Sequence, residues 1–215
     1  MTRKQDLHDR LQRAESWVKA LDTLERKQLH EAFIFLYVAL NALYGRRQYE
    51  GDRTDVHEDL RLFLDRVDVM HARDVEAGGS ILPNCLASQR HAIGRLVGDY
   101  FLINGLFRGA LPSKVKAESD KDRLKALASL TTKDPRVVLH LVLSRLVVLR
   151  NRVLHGCVTY GSASKGLPSI NKALPVISAV VPALIQLMST YGHLVKWDPI
   201  PYPRVGFEDP SETHC

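Results

Sequence analysis

The chain has 215 residues, 45% of them hydrophobic and 25% charged, which is the balance of a soluble globular protein with a sizeable core. Its formal net charge of +6 is compatible with a polyanionic partner. The three cysteines, Cys85, Cys157 and Cys215, are far apart and odd in number. They exclude a disulfide framework and a paired-cysteine metal site, and they favour a reducing compartment.

The sequence offers no clear targeting or membrane-spanning segment. Residues 1–6 are charged and lack the apolar centre of a signal peptide. The most apolar late stretch, residues 173–188, contains Pro175 and Pro182 and is shorter than the roughly 18 residues of a spanning helix. We therefore expect a soluble cytoplasmic protein that does not associate with membranes.

The first part of the chain predicts three helices. Apolar residues recur every three or four positions over residues 6–27, which indicates an amphipathic helix. A second helix is expected over residues 28–44, ended by Gly45 as a left-handed cap, and a third over residues 54–71. Asn41 lies within the apolar run of the second helix. We expect it to be buried and hydrogen-bonded, either for packing or in support of a functional site.

The middle of the chain is less regular. Residues 77–80, with Pro83, predict a loop. Residues 87–107 predict a helix that three glycines interrupt. The interval 109–134 is hydrophilic and rich in lysine, with one short peripheral helix over residues 120–130. It is either a polar insertion or a basic edge that contacts a phosphate backbone.

Asp134 and Pro135 have the residue types of a helix N-cap and first helical position. They begin a strongly apolar helix that we expect to end at His155, with Gly156 as its stop. After a loop over residues 158–170, a last long helix is expected over residues 171–191.

The last predicted helix should bend near Pro182, and a proline-rich tail follows over residues 197–215. No stretch alternates in the manner of a half-buried strand. The predicted fold is therefore an all-α bundle that forms one domain over residues 1–196, with about five or six main helices.

The end of the apolar helix carries the densest polar chemistry. At about 100° per residue, His140, Ser144, Asn151 and His155 fall within a sector of about 60°. Arg150 lies to one side of this stripe, and its long side chain can reach back. The last turn therefore gathers a guanidinium, an amide and an imidazole, with Ser144 in support.

These groups suit phosphodiester chemistry without a metal or a cofactor. Imidazole exchanges protons near neutral pH, and a guanidinium matches phosphate oxygens with paired hydrogen bonds. In RNA cleavage the nucleophile is the internal 2′-hydroxyl, so the protein supplies only proton transfer and charge stabilisation. The same spacing occurs from Arg3 to His8 and from Arg66 to His71, so a structural capping role for His155 is the alternative.

The motif Arg150-Asn151-x-x-x-His155-Gly156, with Thr159-Tyr160-Gly161-Ser162 after it, resembles the signature of the HEPN superfamily (higher eukaryotes and prokaryotes nucleotide-binding). The earlier segment FIFLYVALNALYG, residues 33–45, resembles the second helix of HEPN-like bacterial proteins. The resemblance extends over most of the chain, from residue 7 to residue 191.

The resemblance implies a helical bundle that forms a homodimer, with two Arg-Asn-x-x-x-His turns facing each other. Many HEPN proteins are metal-independent endoribonucleases that act as toxins of toxin–antitoxin pairs or in antiviral defence. RNA and an antitoxin or defence-complex protein are then the expected partners. By motif position, Arg150 and His155 are expected to be catalytic and Asn151 to support them. Residues expected to contact RNA are Arg152, Thr159, Tyr160 and Ser162.

One position departs from the family. HEPN toxins that are silenced by nucleotidyltransferase antitoxins often carry Tyr two residues after the His, and Cys157 stands there in this chain. Two further hypotheses stay open. The chain could be a non-catalytic HEPN-like module that binds nucleotide or a partner protein, or a purely structural bundle in which His155 is buried away from any cleft.

Overall fold

A computed structural model of the chain describes residues 3–46, 56–157 and 167–200. Within these ranges the protein is all-α and contains no strand. Six of the helices have 16 or more residues, which confirms the expected number of main helices. In chain order the α-helices are α1 (Arg3–Ala20), α2 (Leu29–Tyr44), α3 (Val56–Glu76), α4 (Ile81–Ser88), α5 (Arg90–Val97), α6 (Asn104–Phe107), α7 (Pro112–Thr131), α8 (Pro135–Leu154) and α9 (Leu167–Tyr191).

Helix α9 is the centre of the bundle and packs against α1, α2, α3, α4, α5 and α8. It begins at Leu167, before the predicted start, and includes both Pro175 and Pro182. With the short 3-10 turn that follows, it is long and apolar enough to cross a membrane, which corrects the shorter span inferred from the sequence. Half of its most apolar window is buried against the other helices, and a core helix needs the same composition.

Helix α8 begins and ends where its sequence predicts. The Asp134 carboxylate accepts hydrogen bonds from the backbone N–H groups of Arg136 (3.1 Å) and Val137 (3.4 Å), and Pro135 follows the cap. At the other end His155 is the C-cap, and Gly156 has a φ of +69°. Because only glycine adopts this backbone conformation readily, the helix stops here.

Several predicted boundaries are wrong in the first part of the chain. Helix α1 ends at Ala20, and a 3-10 turn at Leu21–Thr23 replaces its predicted last turns. Helix α3 continues past residue 71 to Glu76. Gly45 follows α2, but its φ is −56°, so it is not a left-handed cap. Its carbonyl instead accepts a hydrogen bond from the Arg10 side chain.

The middle of the chain is more helical than predicted. Pro83 lies in the first turn of α4, where no intrahelical N–H bond is lost. The predicted helix 87–107 is divided into α5, a 3-10 turn at Tyr100–Leu102, and α6. Helix α7 has 20 residues and exceeds the predicted short helix at both ends. It buries only a narrow stripe (Val115, Ser119 and Ala126), which explains its hydrophilic sequence.

The described chain closes with a segment that packs on the bundle. Trp197 is 3% exposed, and its indole N–H donates to the carbonyl oxygen of Gly192 at 2.8 Å. The guanidinium carbons of Arg10 and Arg66 lie 5.5 Å and 5.6 Å from its ring. Ile200 is also buried, so packing continues beyond residue 196. Residues 201–215, the rest of the predicted tail, lie outside the described residues.

Candidate functional site

The last turn of α8 lies at the surface of the bundle. His155 is exposed, whereas Arg150, Asn151 and Arg152 are half-buried. Leu154, in the same turn, is 54% exposed. The hypothesis of a His155 buried away from solvent is therefore wrong, and the polar groups of this turn are accessible to a ligand.

Arg150 is held in place but retains hydrogen-bonding capacity. Its Nη1 donates to the Asn151 side-chain oxygen at 2.9 Å, and its guanidinium carbon lies 5.8 Å from the centre of the Tyr37 ring. Among the described residues it has no carboxylate within 4.0 Å, and its Nε is buried without a hydrogen-bond partner there. Of the five N–H donors of a guanidinium, the Nη donors that are not bonded to Asn151 are therefore the ones that an incoming anion can meet.

Two tyrosines of α2, Tyr37 and Tyr44, lie behind Arg150 and are uncharged. The hydroxyl groups of Tyr37 and Tyr44 lie 3.0 Å apart and are buried. Burial raises the pKa of Tyr37, although its bond to Tyr44 and the charge of Arg150 oppose this. Burial and the neighbouring Tyr37 raise the pKa of Tyr44. Both phenols therefore remain uncharged, so the positive charge of Arg150 is not neutralised from behind.

A cleft of about 100 Å³ lies between helix α2 and the end of α8, and Arg150 forms part of its wall. Asn41 is exposed and lines this cleft, which corrects the expectation that it is buried. Asn41 shares a face of α2 with the half-buried residues Ile34 and Val38. This face lies beside the fully buried face of the helix, so Asn41 reaches solvent. The structure thus brings Asn41 and Arg150 to one cleft. Its other lining residues are Phe33, Tyr37, Val153 and Leu154.

The start of the polar stripe on α8 belongs to a different groove. The Ser144 hydroxyl donates to the backbone carbonyl oxygen of His140 at 2.8 Å. Both residues line a groove of about 380 Å³ with residues of α6 and α7. Partial burial, and next the charges of His57 and Lys125, lower the pKa of His140. Ser144 therefore does not reach Arg150 among the described contacts.

Arg150 and His155 flank Asn151 on opposite sides. Five residues at about 100° each place the Arg150 and His155 directions about 140° apart around the helix axis. Asn151 and His155, four residues apart, differ by only about 40°. The hydrogen bond from Arg150 to Asn151 turns the guanidinium toward the stripe, but the two candidate catalytic groups still point to different sides of the turn.

Arg152 connects the last turn of α8 to a residue that sequence reasoning missed. Its Nη1 donates to the backbone carbonyl oxygen of Phe101 at 3.3 Å. Phe101 is 46% exposed, in the 3-10 turn between α5 and α6. The sequence Asp99-Tyr100-Phe101 gives no sign of this proximity, because a bond across 51 residues depends on the fold.

The residues after the helix are described only in part. Cys157 is exposed, and its backbone N–H donates to the carbonyl oxygen of Arg152 at 2.9 Å. The predicted RNA contacts Thr159, Tyr160 and Ser162 lie outside the described residues. In the described ranges, no three His, Cys, Asp or Glu side chains form a group that could hold a metal ion.

A wider cavity, of about 480 Å³, lies at the opposite end of α8, where Asp134 and Pro135 form part of its wall. The Nδ1 atom of His71 is buried there without a hydrogen-bond partner in the described structure. The polar groups that line it belong to several helices and do not repeat the Arg150 to His155 arrangement.

Comparison with known proteins adds no family to this description. No family model, curated protein or solved structure matches the chain. The likeness to HEPN proteins therefore rests on the motif residues themselves.

Proposed function

We propose that the chain is a metal-independent endoribonuclease of the HEPN type that cleaves single-stranded or loop RNA. The observation that supports this proposal is the exposed last turn of α8. There Arg150, bonded to Asn151 and without a carboxylate partner among the described residues, lies five residues before the exposed His155. A phosphodiester needs these two kinds of group, a cation for its oxygens and a proton carrier.

In the proposed reaction the 2′-hydroxyl of one nucleotide attacks the adjacent phosphorus. The P–O bond to the next 5′-oxygen breaks, and a 2′,3′-cyclic phosphate and a 5′-hydroxyl are formed. His155 exchanges the proton at the attacking or leaving oxygen. Arg150 binds the non-bridging phosphate oxygens as their charge grows. Asn151 orients the guanidinium through its side-chain oxygen.

We infer that the active form is a homodimer. The opposed directions of Arg150 and His155 make it difficult for one turn to present both groups to a single phosphate. Two turns across a two-fold axis remove this difficulty, because Arg150 of one subunit can act with the partner's His155. A role as a toxin with an antitoxin, or in antiviral defence, follows from the family resemblance and belongs to the same proposal.

Cleavage of RNA by purified protein in the presence of EDTA tests the proposal. We expect products with 2′,3′-cyclic phosphate ends, and loss of cleavage in His155→Ala without loss of the helical circular dichroism signal. His193→Ala is the matched control, since His193 is also exposed but lies after α9. Equal activity of His155→Ala and the wild type, or activity that EDTA abolishes, contradicts the assignment.

A second function is favoured by one observation. The cleft between α2 and α8 is lined mainly by apolar side chains, and Leu154 at its edge is exposed. Such a surface suits a non-catalytic module that binds a partner protein. Induction in cells separates the two functions. A toxin arrests growth and loses this effect with His155→Ala, whereas a binding module loses its partner with Leu154→Asp and is indifferent to His155→Ala.

A further inference from the structure

We propose that Phe101 stacks on one unpaired base of the RNA, next to the phosphate that the last turn of α8 holds. Phe101 and Arg152 together then form a subsite for the nucleotide that flanks the cleavage position. This inference rests on the proposed function, because it assumes a single-stranded RNA at the end of α8.

The turn that carries Phe101 is firmly anchored. Asp99 is 2% exposed, and its carboxylate accepts hydrogen bonds from the Ser169 hydroxyl (2.8 Å) and the Lys172 ammonium (3.0 Å) of α9. The same carboxylate accepts from the backbone N–H of Phe101 at 3.2 Å. Because two side chains of the central helix hold the Asp99 carboxylate, which in turn holds the Phe101 N–H, the position of the Phe101 backbone is set before any ligand binds.

The ring of Phe101 remains accessible on this rigid turn. Leu102, the next residue, is fully buried, whereas Phe101 is nearly half exposed. Its ring lies 4.2 Å from that of Tyr100, with an angle of 31° between their planes. At this separation Tyr100 lies against one face of the Phe101 ring and supports it, so a base would stack on the opposite face. Aromatic side chains at a surface bind unpaired bases of any sequence in this way.

Arg152 places this surface beside the candidate catalytic turn. It donates to the carbonyl oxygen of Phe101, and it precedes His155 by three residues, so the two side chains are neighbours on the helix. A nucleotide stacked on Phe101 therefore has its phosphate close to His155. Arg150 of the same chain points about 160° away from Arg152, so in the proposed homodimer Arg150 of the partner subunit binds this phosphate. The guanidinium of Arg152 adds positive charge at the junction between the base and that phosphate.

The neighbouring groove limits the subsite to a short stretch of RNA. Its charged lining residues, Glu118, Asp122, Lys125 and Arg145, include two of each sign. Asp122 and Arg145 pair with each other at 2.6 Å. A groove with balanced charge does not follow a phosphate backbone, since that requires an excess of cations. The interaction expected at Phe101 is thus stacking of a base rather than one step of a long electrostatic track.

Binding of an uncleavable RNA tests the inference separately from catalysis. The probe is a fluorescein-labelled single strand of about 12 nucleotides with 2′-O-methyl riboses, which lack the nucleophile. Fluorescence anisotropy should give about tenfold weaker binding for Phe101→Ala, because the contact with one stacked base is lost. Phe101→Trp should bind like the wild type. Phe101→Leu, which keeps an apolar side chain but no ring face, should bind weakly.

Abasic nucleotides give the decisive comparison. An abasic site at the stacked position should weaken wild-type binding about tenfold and leave Phe101→Ala unchanged, since both changes remove one contact. Trp17→Ala is the control, because Trp17 is an exposed aromatic residue of α1. Absence of any position with this coupling overturns the inference. A second result also overturns it: Phe101→Ala changes the sedimentation coefficient of the protein, and every abasic RNA loses the same affinity. Phe101 is then part of a protein–protein contact and not of a base subsite.

The outcomes also separate the inference from the proposed function. If the coupling is found but natural RNA is not cleaved, the base subsite stands and the nuclease assignment fails. If His155-dependent cleavage is found while Phe101→Ala binds and cleaves normally, the nuclease assignment stands and the subsite fails. Absence of any RNA binding by the wild type overturns both.

Discussion

Replacement of Arg10 by methionine should strongly destabilise the protein. Arg10 is 1% exposed, and its guanidinium donates to the carbonyl oxygens of Leu43 (3.2 Å), Gly45 and Asp198 (2.8 Å). The first two acceptors end helix α2, and the third belongs to the closing segment that contains Trp197. One side chain of α1 thus joins both ends of the described chain. Methionine keeps much of the volume but none of the donors.

The expected loss combines two opposing contributions. Hydrogen bonds from a charged donor contribute about 1.5–3 kcal/mol each, and three are removed. Against this, a charged group no longer has to be buried. That cost is real here, because burial, and next the nearby charge of Arg66, lower the pKa of Arg10 to about 10. We therefore expect a net loss of about 3 kcal/mol, or a melting temperature lower by roughly 6–12 °C.

Urea unfolding followed by circular dichroism measures the change in the free energy of unfolding. Arg26→Met is the matched control, since Arg26 is exposed and its replacement should change stability by no more than about 0.5 kcal/mol. Trp197 fluorescence should shift to longer wavelength in Arg10→Met as the closing segment loosens. A loss below about 1 kcal/mol, with an unchanged denaturant dependence, refutes the idea that Arg10 joins these segments.

Three further changes test the surroundings of the candidate site. Asp99→Ala removes the network that anchors the Phe101 turn, so urea unfolding should show a loss of about 2–3 kcal/mol, and a loss near zero contradicts the anchoring. An NMR titration should place the pKa of His140 below the usual value, and Lys125→Ala should raise it. Because the pKa of His140 is lower in the folded protein than in the unfolded chain, protonation favours the unfolded chain. The free energy of unfolding therefore falls slightly as the pH drops below about 6.5, and an unperturbed titration of His140 contradicts this. Gly156→Ala should cost about 1–2 kcal/mol through its positive φ alone, because a Cβ there meets no atom within 4 Å, and a neutral effect contradicts the assigned backbone conformation.

Local chemistry made the limits of α8 predictable. The Asp134 cap, Pro135 and Gly156 act on the backbone next to them, so their effects can be read from adjacent residues. The all-α class follows in the same way from apolar spacing and from the absence of strand alternation. The predicted length of helix α7 was too short because its narrow buried stripe gives little apolar periodicity in the sequence. Its backbone hydrogen bonds do not depend on that periodicity.

Properties that depend on packing were not predictable. Asn41 lies in an apolar run, but the side of α2 that faces the core is set by α1 and α9, which leaves Asn41 at the surface. The same spacing of Arg and His occurs more than once in the sequence, and only the fold shows which Arg has a structural role. Arg66 binds Asp198 at 2.6 Å and lies over Trp197, so it has a structural role. Arg150 has no such ion pair in the described structure, which distinguishes the two occurrences.

The length of α8 has a consequence for how the molecule could be controlled. Its 20 residues extend about 30 Å, from the wall of the 480 Å³ cavity at Asp134 and Pro135 to the turn that carries Arg150. The cavity and the cleft beside Arg150 share no lining residue, and the helix between them packs most broadly against α3 and α7. A tilt of α8 as a rigid body therefore changes the wall of the cavity and the position of Arg150 together.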